Sequence, residues 1–451
     1  MANFAVNHSL SYAVGRSSLH EAGVFALEEV NPESRSVLFE DAPDLFIQSL
    51  ENRGDNLICG NCHSYVGTLS MQVDMLLGRL SRQNLDGILG RSKQLCHQDN
   101  FEDAMLRPIF CCQNKCGELY CSESCAANHW KKSHCLLCTG SMEEDASLVK
   151  FKIHAVETNE IFLMAADHFA YICTQAEARL DHVTDIDEKR KYMESAARDV
   201  AEPYSSFVRN LWWDAAIAPD GTDPQHLMVS LVTIVDEAWA LLSDAFQLEA
   251  RGLSGFLSAE YLSRTIGMFE QNNVGVRLSS PPAVRVEALH AGDKSTAYYA
   301  TVARQVADSL SYDDFGMEDE HEYEEEEEVD KGDEMEEEEA GDEAADADYR
   351  DLQRTLETHG ILSLFPPLDG AAFYLTICRI NHSCVPNVRV EYVNKGVDGG
   401  LMAEVKVVRP IGAGEELVQS YIDENLSWED RRTALMDYGF ECTCEKCVRR
   451  M

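Results

Sequence analysis

From Ala13 to Ser49, short apolar runs sit on either side of Gly23 and of Asn31-Pro32, a pattern that predicts two strands joined by turns. Beyond Leu148 the period changes. Apolar residues recur at helical spacing in IFLMAADHFAYICTQAEARL, LMVSLVTIVDEAWALLSDAF and FLSAEYLSRTIGMFE, so the middle of the chain to Asn272 reads as a helical insertion. Further on, NVRVEYV and LMAEVKVVRPIGAGEEL alternate with period two and turn at Gly412 and Gly414, which returns the chain to strands. Two β-rich ends around a helical middle predict one domain split by insertions. Between the first strands and the helices, Asn56 to Gly140 holds ten of the sixteen cysteines. Within it, Leu76 to Gln98 reads as a loop or helix placed between two halves of one cysteine module.

Composition changes this picture in three places. At 451 residues the chain suggests about three units of ~150 residues. Its net charge of −41 is uneven, because Asp313 to Asp348 holds 22 acidic residues and one lysine. Such a run repels itself and has little to bury, so it is expected to be disordered. It can serve as a solvated spacer, as a trap for basic tails or as an inhibitory lid. The basic clusters Lys189-Arg190-Lys191 and Arg449-Arg450 are too short for phosphate-backbone binding, which excludes direct nucleic-acid contact and favours a basic protein partner. The most apolar run, Leu227 to Val235, meets Asp236 and Glu237 well short of the ~18 residues a membrane helix needs, and no membrane contact is expected. The opening MANFAVNHSLSYAVGRSS lacks a charged region followed by an apolar core, so an intracellular, nuclear and/or cytoplasmic monomer is expected. In a reducing compartment, closely paired cysteines point to metal.

Four close pairs of ligands lie in the first cysteine region: Cys59 and Cys62, Cys112 and Cys116, Cys121 and Cys125, His134 and Cys138. Zinc takes four tetrahedral thiolate or imidazole donors, and a close pair lets one turn supply two of them. Eight donors make two closed, structural sites that stabilise a module too polar to bury much apolar surface. Cys111 competes with Cys112, and Cys135 with Cys138. Cys96, Cys173 and Cys378 read as free buried thiols. The order CGNC, CQNKC, YCSESC, HWKKSHCLLC resembles a MYND zinc finger, in which alternate pairs share a metal. The resemblance assigns Cys59, Cys62, Cys121 and Cys125 to one ion, and Cys112, Cys116, His134 and Cys138 to the other. The chain departs from the family in the three-residue spacing of its second pair and in the roughly fifty residues between the first and second pairs.

Near the C-terminus stand RINHSCVPN (379–387), GEELVQSYI (414–422) and DYGFECTCEKC (437–447). Together with DGAAFY before them, they resemble a SET-domain lysine methyltransferase with a cysteine-rich post-SET tail. A MYND finger following the first SET strands is similar to the SET-and-MYND (SMYD-type) group, and the long spacer with AFYLTICRINHSC to the plant trithorax-related SET proteins. The resemblance implies that Asn381 and His382 contact S-adenosylmethionine and that Phe440 stacks on its adenine. Tyr421 and Tyr438 would form the lysine channel, with Tyr421 also bordering the cofactor. Ala22 and Gly23 would lie in the cofactor loop, where Glu21-Ala22-Gly23 keeps only the second glycine of the family's Gly-x-Gly turn. Cys384, Cys442, Cys444 and Cys447 would hold a third zinc that clamps Tyr438 and Phe440 over the site.

The expected architecture is α+β. Residues 1–55 start a split, mostly-β SET domain and 56–140 form a MYND zinc-finger insertion with an internal spacer. Residues 141–312 form a helical insertion and SET-linked region, 313–348 the acidic tract, 349–425 the C-terminal SET core and 426–451 the post-SET zinc tail. The function implied is protein-lysine N-methylation, on a basic, lysine-containing tail with histone H3 favoured. A proline-rich peptide is a further partner for the finger. The rival reading is a catalytically weak scaffold that binds proline-rich and basic proteins through the finger and the acidic tract.

Overall fold

The computed structural model describes residues 11–76, 80–82, 85, 105–215, 223–281, 366–395, 399–436 and 438–450. The acidic run 313–348 and most of the 76–98 spacer, Cys96 included, lie outside the described residues.

The two ends of the chain meet in one β core. Strands β1 (Tyr12–Arg16), β2 (Ala22–Ala26), β3 (Val37–Asp41) and β4 (Leu45–Gln48) come from the start. The anticipated pair of strands is therefore four, because Gly15 and Gly23 face each other across a β1-β2 hairpin and Val37 opens a further pair. Inside the finger region lie β5 (Gly67–Thr68), β6 (Met105–Arg107), β7 (Phe110–Cys111) and β8 (Leu119–Tyr120). Beyond the helices come β9 (Val274–Leu278), β10 (Leu368–Phe373), β11 (Asn381–His382), β12 (Val388–Asn394), β13 (Leu401–Val407) and β14 (Glu416–Gln419). Three small sheets run β1-β2-β14-β11, β4-β10-β9 and β12-β13-β3, so each pairs strands from opposite ends of the sequence. Alternation puts Val24, Ala26, Leu38, Val388, Val405 and Leu417 on the inner faces, where they form one buried cluster with Ile377 and Ile380.

The helical insertion carries long helices at Ser147–Thr158, Ile161–Arg179, Ile186–Ala201, Pro224–Ala245 and Ala259–Asn272. Their capping follows ordinary chemistry: Asp185, Asp223 and Ser258 each accept a backbone N–H of the first turn. Pro224–Ala245 is long and apolar enough to cross a membrane by length and composition alone, a point the run-length reading above did not anticipate. Its Leu231, Val235, Ala238 and Leu242, about one turn apart, are buried in the helical core, and Asp236, Glu237 and Asp244 are exposed. Phe373 on β10 joins the two cores, packing its ring against Phe207 (4.7 Å between centroids), Phe269 (5.2 Å) and Tyr204 (5.8 Å). Within the range expected for the helical insertion and SET-linked region, the SET-linked part is a strand, β9.

Asp41, at the end of β3, has a buried Oδ2 with no hydrogen-bond partner. Burial, with Asp44 adding to it, pushes its carboxyl up from about 3.8 to about 7. The folded chain therefore holds a proton that the unfolded chain releases between those pH values. Its contribution to stability is complete below the lower value and is lost as pH rises through the upper one. Asp41→Asn removes this titration. We expect it to raise the stability relative to wild type by ~1–2 kcal/mol at pH 8 and to leave the two alike near pH 4, read by urea unfolding at both pH values. Equal stabilities at pH 8 would show that Asp41 titrates normally.

Candidate active site and metal centres

The register of β14 against β2, with Glu416 opposite Phe25 and Leu417 opposite Val24, brings the N-terminal hairpin to the C-terminal motifs. Glu416 accepts from Ser17 Oγ with both oxygens (2.7 and 2.9 Å) and from Asn381 Nδ2 with one (2.7 Å). Asn381 Nδ2 also donates to the carbonyl of Ala22 (2.9 Å). Ala22, Gly23 and Asn381 are thus together, and the donor end of the Asn381 amide is spent within the protein. A Cβ on Gly23 would lie 2.3 Å from Glu416 Oε1, so any larger residue there must push the Glu416 carboxylate aside. Glu416 and Ser17 were not singled out from sequence, because their contact joins residues 399 positions apart.

The parallel pairing of β11 with β14 sets His382 opposite Gln419 and carries the chain directly into Tyr421. The His382 ring accepts the Tyr421 backbone N–H at Nδ1 (3.0 Å), which leaves Nε2 as the protonated nitrogen, 3.2 Å from Cys384 Sγ. Burial holds this imidazole down to about 4, and it stays neutral. Both ring nitrogens are committed, which leaves the backbone of His382 to meet a ligand. Tyr421 donates its hydroxyl to the Ile380 carbonyl (2.8 Å), and its own carbonyl accepts the Tyr438 hydroxyl (3.2 Å). Burial pushes the Tyr421 hydroxyl above its ordinary pKa, so it remains protonated. The rings of Tyr421 and Tyr438 lie 5.2 Å apart, and Phe440 is 5.7 Å from His382 and 6.3 Å from Tyr421. Tyr438 is 50% and Phe440 36% exposed, so one side of this aromatic group faces open space.

Three sets of four donors converge, each with all its donor atoms within 4.8 Å of one another. Cys59, Cys62, Cys121 and Cys125 form the first, with Cys62 Sγ 3.6 Å and Cys125 Sγ 3.4 Å from Cys121 Sγ. Ser122 fixes Cys125 by accepting its N–H as the cap of helix Glu123–His129. Cys112, Cys116, His134 and Cys138 form the second, with His134 Nε2 3.5 Å from Cys112 Sγ and 3.4 Å from Cys116 Sγ. Cys384, Cys442, Cys444 and Cys447 form the third, with Cys384 Sγ 3.5 Å from Cys447 Sγ. Four soft or borderline donors at such spacing suit tetrahedral zinc, and none of the sets contains a carboxylate. Cys111 and Cys135 stay outside the sets. Two arginines beside the thiols escaped sequence reading: Arg107 donates towards Cys62 and Cys121, and the fully buried Arg431 towards Cys447. No local spacing rule points to either.

A family model described as the SET domain matches residues 258–422. Over an alignment of 476 positions, 94% of this chain and 88% of the relative, the sequence is 28% identical to the histone-lysine N-methyltransferase ATXR2 of Arabidopsis thaliana. It is 42% identical over 82 residues to the N-lysine methyltransferase SMYD2 of Homo sapiens and 44% identical over 79 residues to SMYD2-B of Xenopus laevis. Those two alignments cover 18% and 17% of the relatives and the same shares of this chain.

The Gly23 contact yields a stability test. Gly23→Ala must displace a carboxylate held by two donors, the bifurcated Ser17 hydroxyl and the Asn381 amide, and we expect a loss of ~1–3 kcal/mol in denaturant unfolding, in the range of an overpacked site. A loss under ~0.5 kcal/mol would mean that Glu416 swings away freely.

Proposed function

From its place among the SET-domain proteins, we propose that this chain is a protein-lysine N-methyltransferase that uses S-adenosylmethionine. The arrangement that carries this reading is the pairing of Tyr421 with Tyr438 beside the Ala22, Gly23 and Asn381 junction. S-adenosylmethionine supplies an electrophilic methyl group on a sulfonium. What the protein must do is desolvate a neutral lysine amine and hold its lone pair in line. Tyr421 is suited to orienting the amine, because its hydroxyl, fixed by donating to the Ile380 carbonyl, keeps its oxygen free to accept an N–H. Tyr438 is the second wall, and the space between the two rings limits the number of methyl groups. Ala22, Gly23, the backbone of Asn381 and His382, Tyr421 and Phe440 would hold the cofactor. The Glu416 carboxylate is occupied by Ser17 and Asn381, so the lysine proton leaves to solvent.

We assign the substrate as a basic, lysine-bearing protein tail, with histone H3 the favoured case, in the nucleus and/or the cytoplasm. A proline-rich peptide is a further partner of the finger. The relative named a histone-lysine N-methyltransferase supports the histone assignment. We divide the chain as read from sequence, with three structural zinc ions on the twelve clustered donors. The scaffold reading predicts no cofactor binding in calorimetry, whereas the enzyme reading predicts a saturable heat.

Methyl transfer from radiolabelled cofactor to core histones and to lysate proteins tests the activity, with label in histone H3 the expected result. Failure of every lysate protein to take label, together with absent cofactor binding, would overturn it. Tyr421→Phe should lower methyl transfer on the order of 10²-fold while calorimetry shows the cofactor still bound. Were Tyr421 only a packing residue, turnover would stay at the wild-type level and stability would fall by ~1 kcal/mol. Atomic absorption should count three zinc ions per chain, and a reproducible two in active protein would remove the tail site.

A further inference from the structure

Two of the three donor sets accept a hydrogen bond from a guanidinium, and the chemistry of the sets distinguishes these two from the third, which Arg53 reaches only through longer-range electrostatics with Cys116. A divalent cation on four thiolates leaves two negative charges, whereas on three thiolates and a neutral imidazole it leaves one. In the first four-cysteine set, Arg107 is only 9% exposed and points Nη1 at Cys121 Sγ (3.5 Å) and Cys62 Sγ (3.7 Å). Its Nη2 donates to the Gly399 carbonyl (2.7 Å) in the β12-β13 connection. In the tail set, Arg431 sits inside helix Trp428–Met436 and directs Nη2 to Cys447 Sγ at 4.0 Å, the outer limit of such a contact. Its Nη1 donates to the Leu426 carbonyl. Around the Cys3His set, the corresponding donor is the neutral amide of Asn114, 3.6 Å from Cys138 Sγ. Among the described residues no guanidinium donates to that set.

Each arginine is therefore bound at two ends, one on thiols and one on a backbone carbonyl. At the first site the joint is reinforced, because Leu401 N–H donates to the Cys62 carbonyl (2.8 Å) and a Cβ on Gly400 would lie 2.1 Å from that same oxygen. Arg is suited to this role because its planar fork serves two acceptors at once, which an ammonium does less well. A positive charge withdrawn from water needs opposite charge beside it, and a loaded four-thiolate site provides it.

We propose that Arg107 and Arg431 are positioning residues that offset the doubled negative charge of the two four-thiolate metal sites and tie each site to a backbone carbonyl, Arg107 to Gly399 in the β12-β13 connection and Arg431 to Leu426 ahead of its own helix. The proposal rests on the assignment of zinc to these sets. It couples metal affinity to docking at the first site, where loss of Arg107 loosens the metal that holds the finger on the β12-β13 connection, and at the tail site loss of Arg431 loosens the metal.

Full-length protein carrying three zinc ions tests this by chelator titration, with released zinc read by a metal-sensitive dye. Arg107→Gln and Arg431→Gln should each bring one ion, and one only, to release at ~10–100-fold lower chelator concentration, the usual cost of removing an outer hydrogen bond to a metal ligand. Asn114→Ala, which removes the outer hydrogen bond on Cys138, should shift release of the Cys3His ion alone and leave the two four-thiolate ions in place. Arg431→Lys, which keeps the charge without the fork, should fall between wild type and Gln, and with Arg107→Gln it carries the test should Arg431→Gln not fold. Release of all three ions at wild-type chelator concentrations in these variants would overturn the proposal. A wild-type protein that binds fewer than three ions would overturn the zinc assignment instead.

Discussion

The carboxylate of Glu416 ties together groups that the sequence keeps far apart, Ser17 from the first hairpin and Asn381 from the last part of the chain. That closure is the constraint on which the rest depends. Every one of the three sheets of the β core pairs an early strand with a late one, so neither end can form its core alone. Polymer physics makes this tolerable: the entropic cost of closing a flexible loop grows only with the logarithm of its length, about 0.6 kcal/mol per doubling. A finger and a helical layer can be placed between the ends provided each returns the chain to the same sheets. β9 does this for the helical layer by pairing with β10, which in turn pairs with β4.

The thiol clusters make the insertions part of the core. The first donor set meets the SET hairpin through Cys62, whose carbonyl accepts Leu401 N–H. The turn that ends in His134 is held from the other side, because Lys132 Nζ donates to the Asp44 carbonyl (2.7 Å) and Thr174 Oγ1 to the Lys132 carbonyl (2.5 Å). The tail set reaches further still. From Cys384 the His382 ring leads to the backbone of Tyr421, so a change in the geometry of the thiols is felt two contacts away at the aromatic pair. This line of contacts is short, polar and directional, which suits positioning better than an apolar contact of equal length.

What was legible in the sequence was what chemistry demands locally. Close ligand pairs can be read because a turn of fixed length must present two donors to one ion, and Cys112 and Cys138 join the sets where Cys111 and Cys135 do not. Period-two alternation found β12 and β13 for the same reason, since one face is buried. The less legible features are long-range. A four-strand N-terminal segment looked like two because Val37–Asp41 and Leu45–Gln48 are short and separated by Ala42-Pro43-Asp44, which gives too few positions to show a period. VGVRL, just past the helical run that ends at Asn272, is assigned no element by the sequence pattern, because its strand state comes from pairing with residues about a hundred positions on. Arg107, Arg431 and Glu416 belong to the same class, being charged residues whose partners are fixed only once the sheets close. The role of His382 shifted likewise: its motif marks the site, but the structure spends its ring on Cys384 and Tyr421.

The aromatic pair shows how this division of labour reaches function. Tyr421 is held at three polar points, its N–H on His382, its hydroxyl on Ile380 and its carbonyl beneath the Tyr438 hydroxyl. These three contacts, all made within the protein, fix its orientation. Tyr438 and Phe440 come from the tail, are substantially exposed, and stand within a few residues of the third thiol set. A reaction that needs one fixed acceptor for the amine and an enclosed space for the methyl group is served by that asymmetry, because orientation must be exact before binding whereas enclosure is completed by the ligands themselves. The fixed wall is built by backbone pairing between the chain ends, and the closing wall by thiols that gather late in the sequence. On the proposed reading, the orientation of the amine follows from sheet closure and its desolvation from the tail.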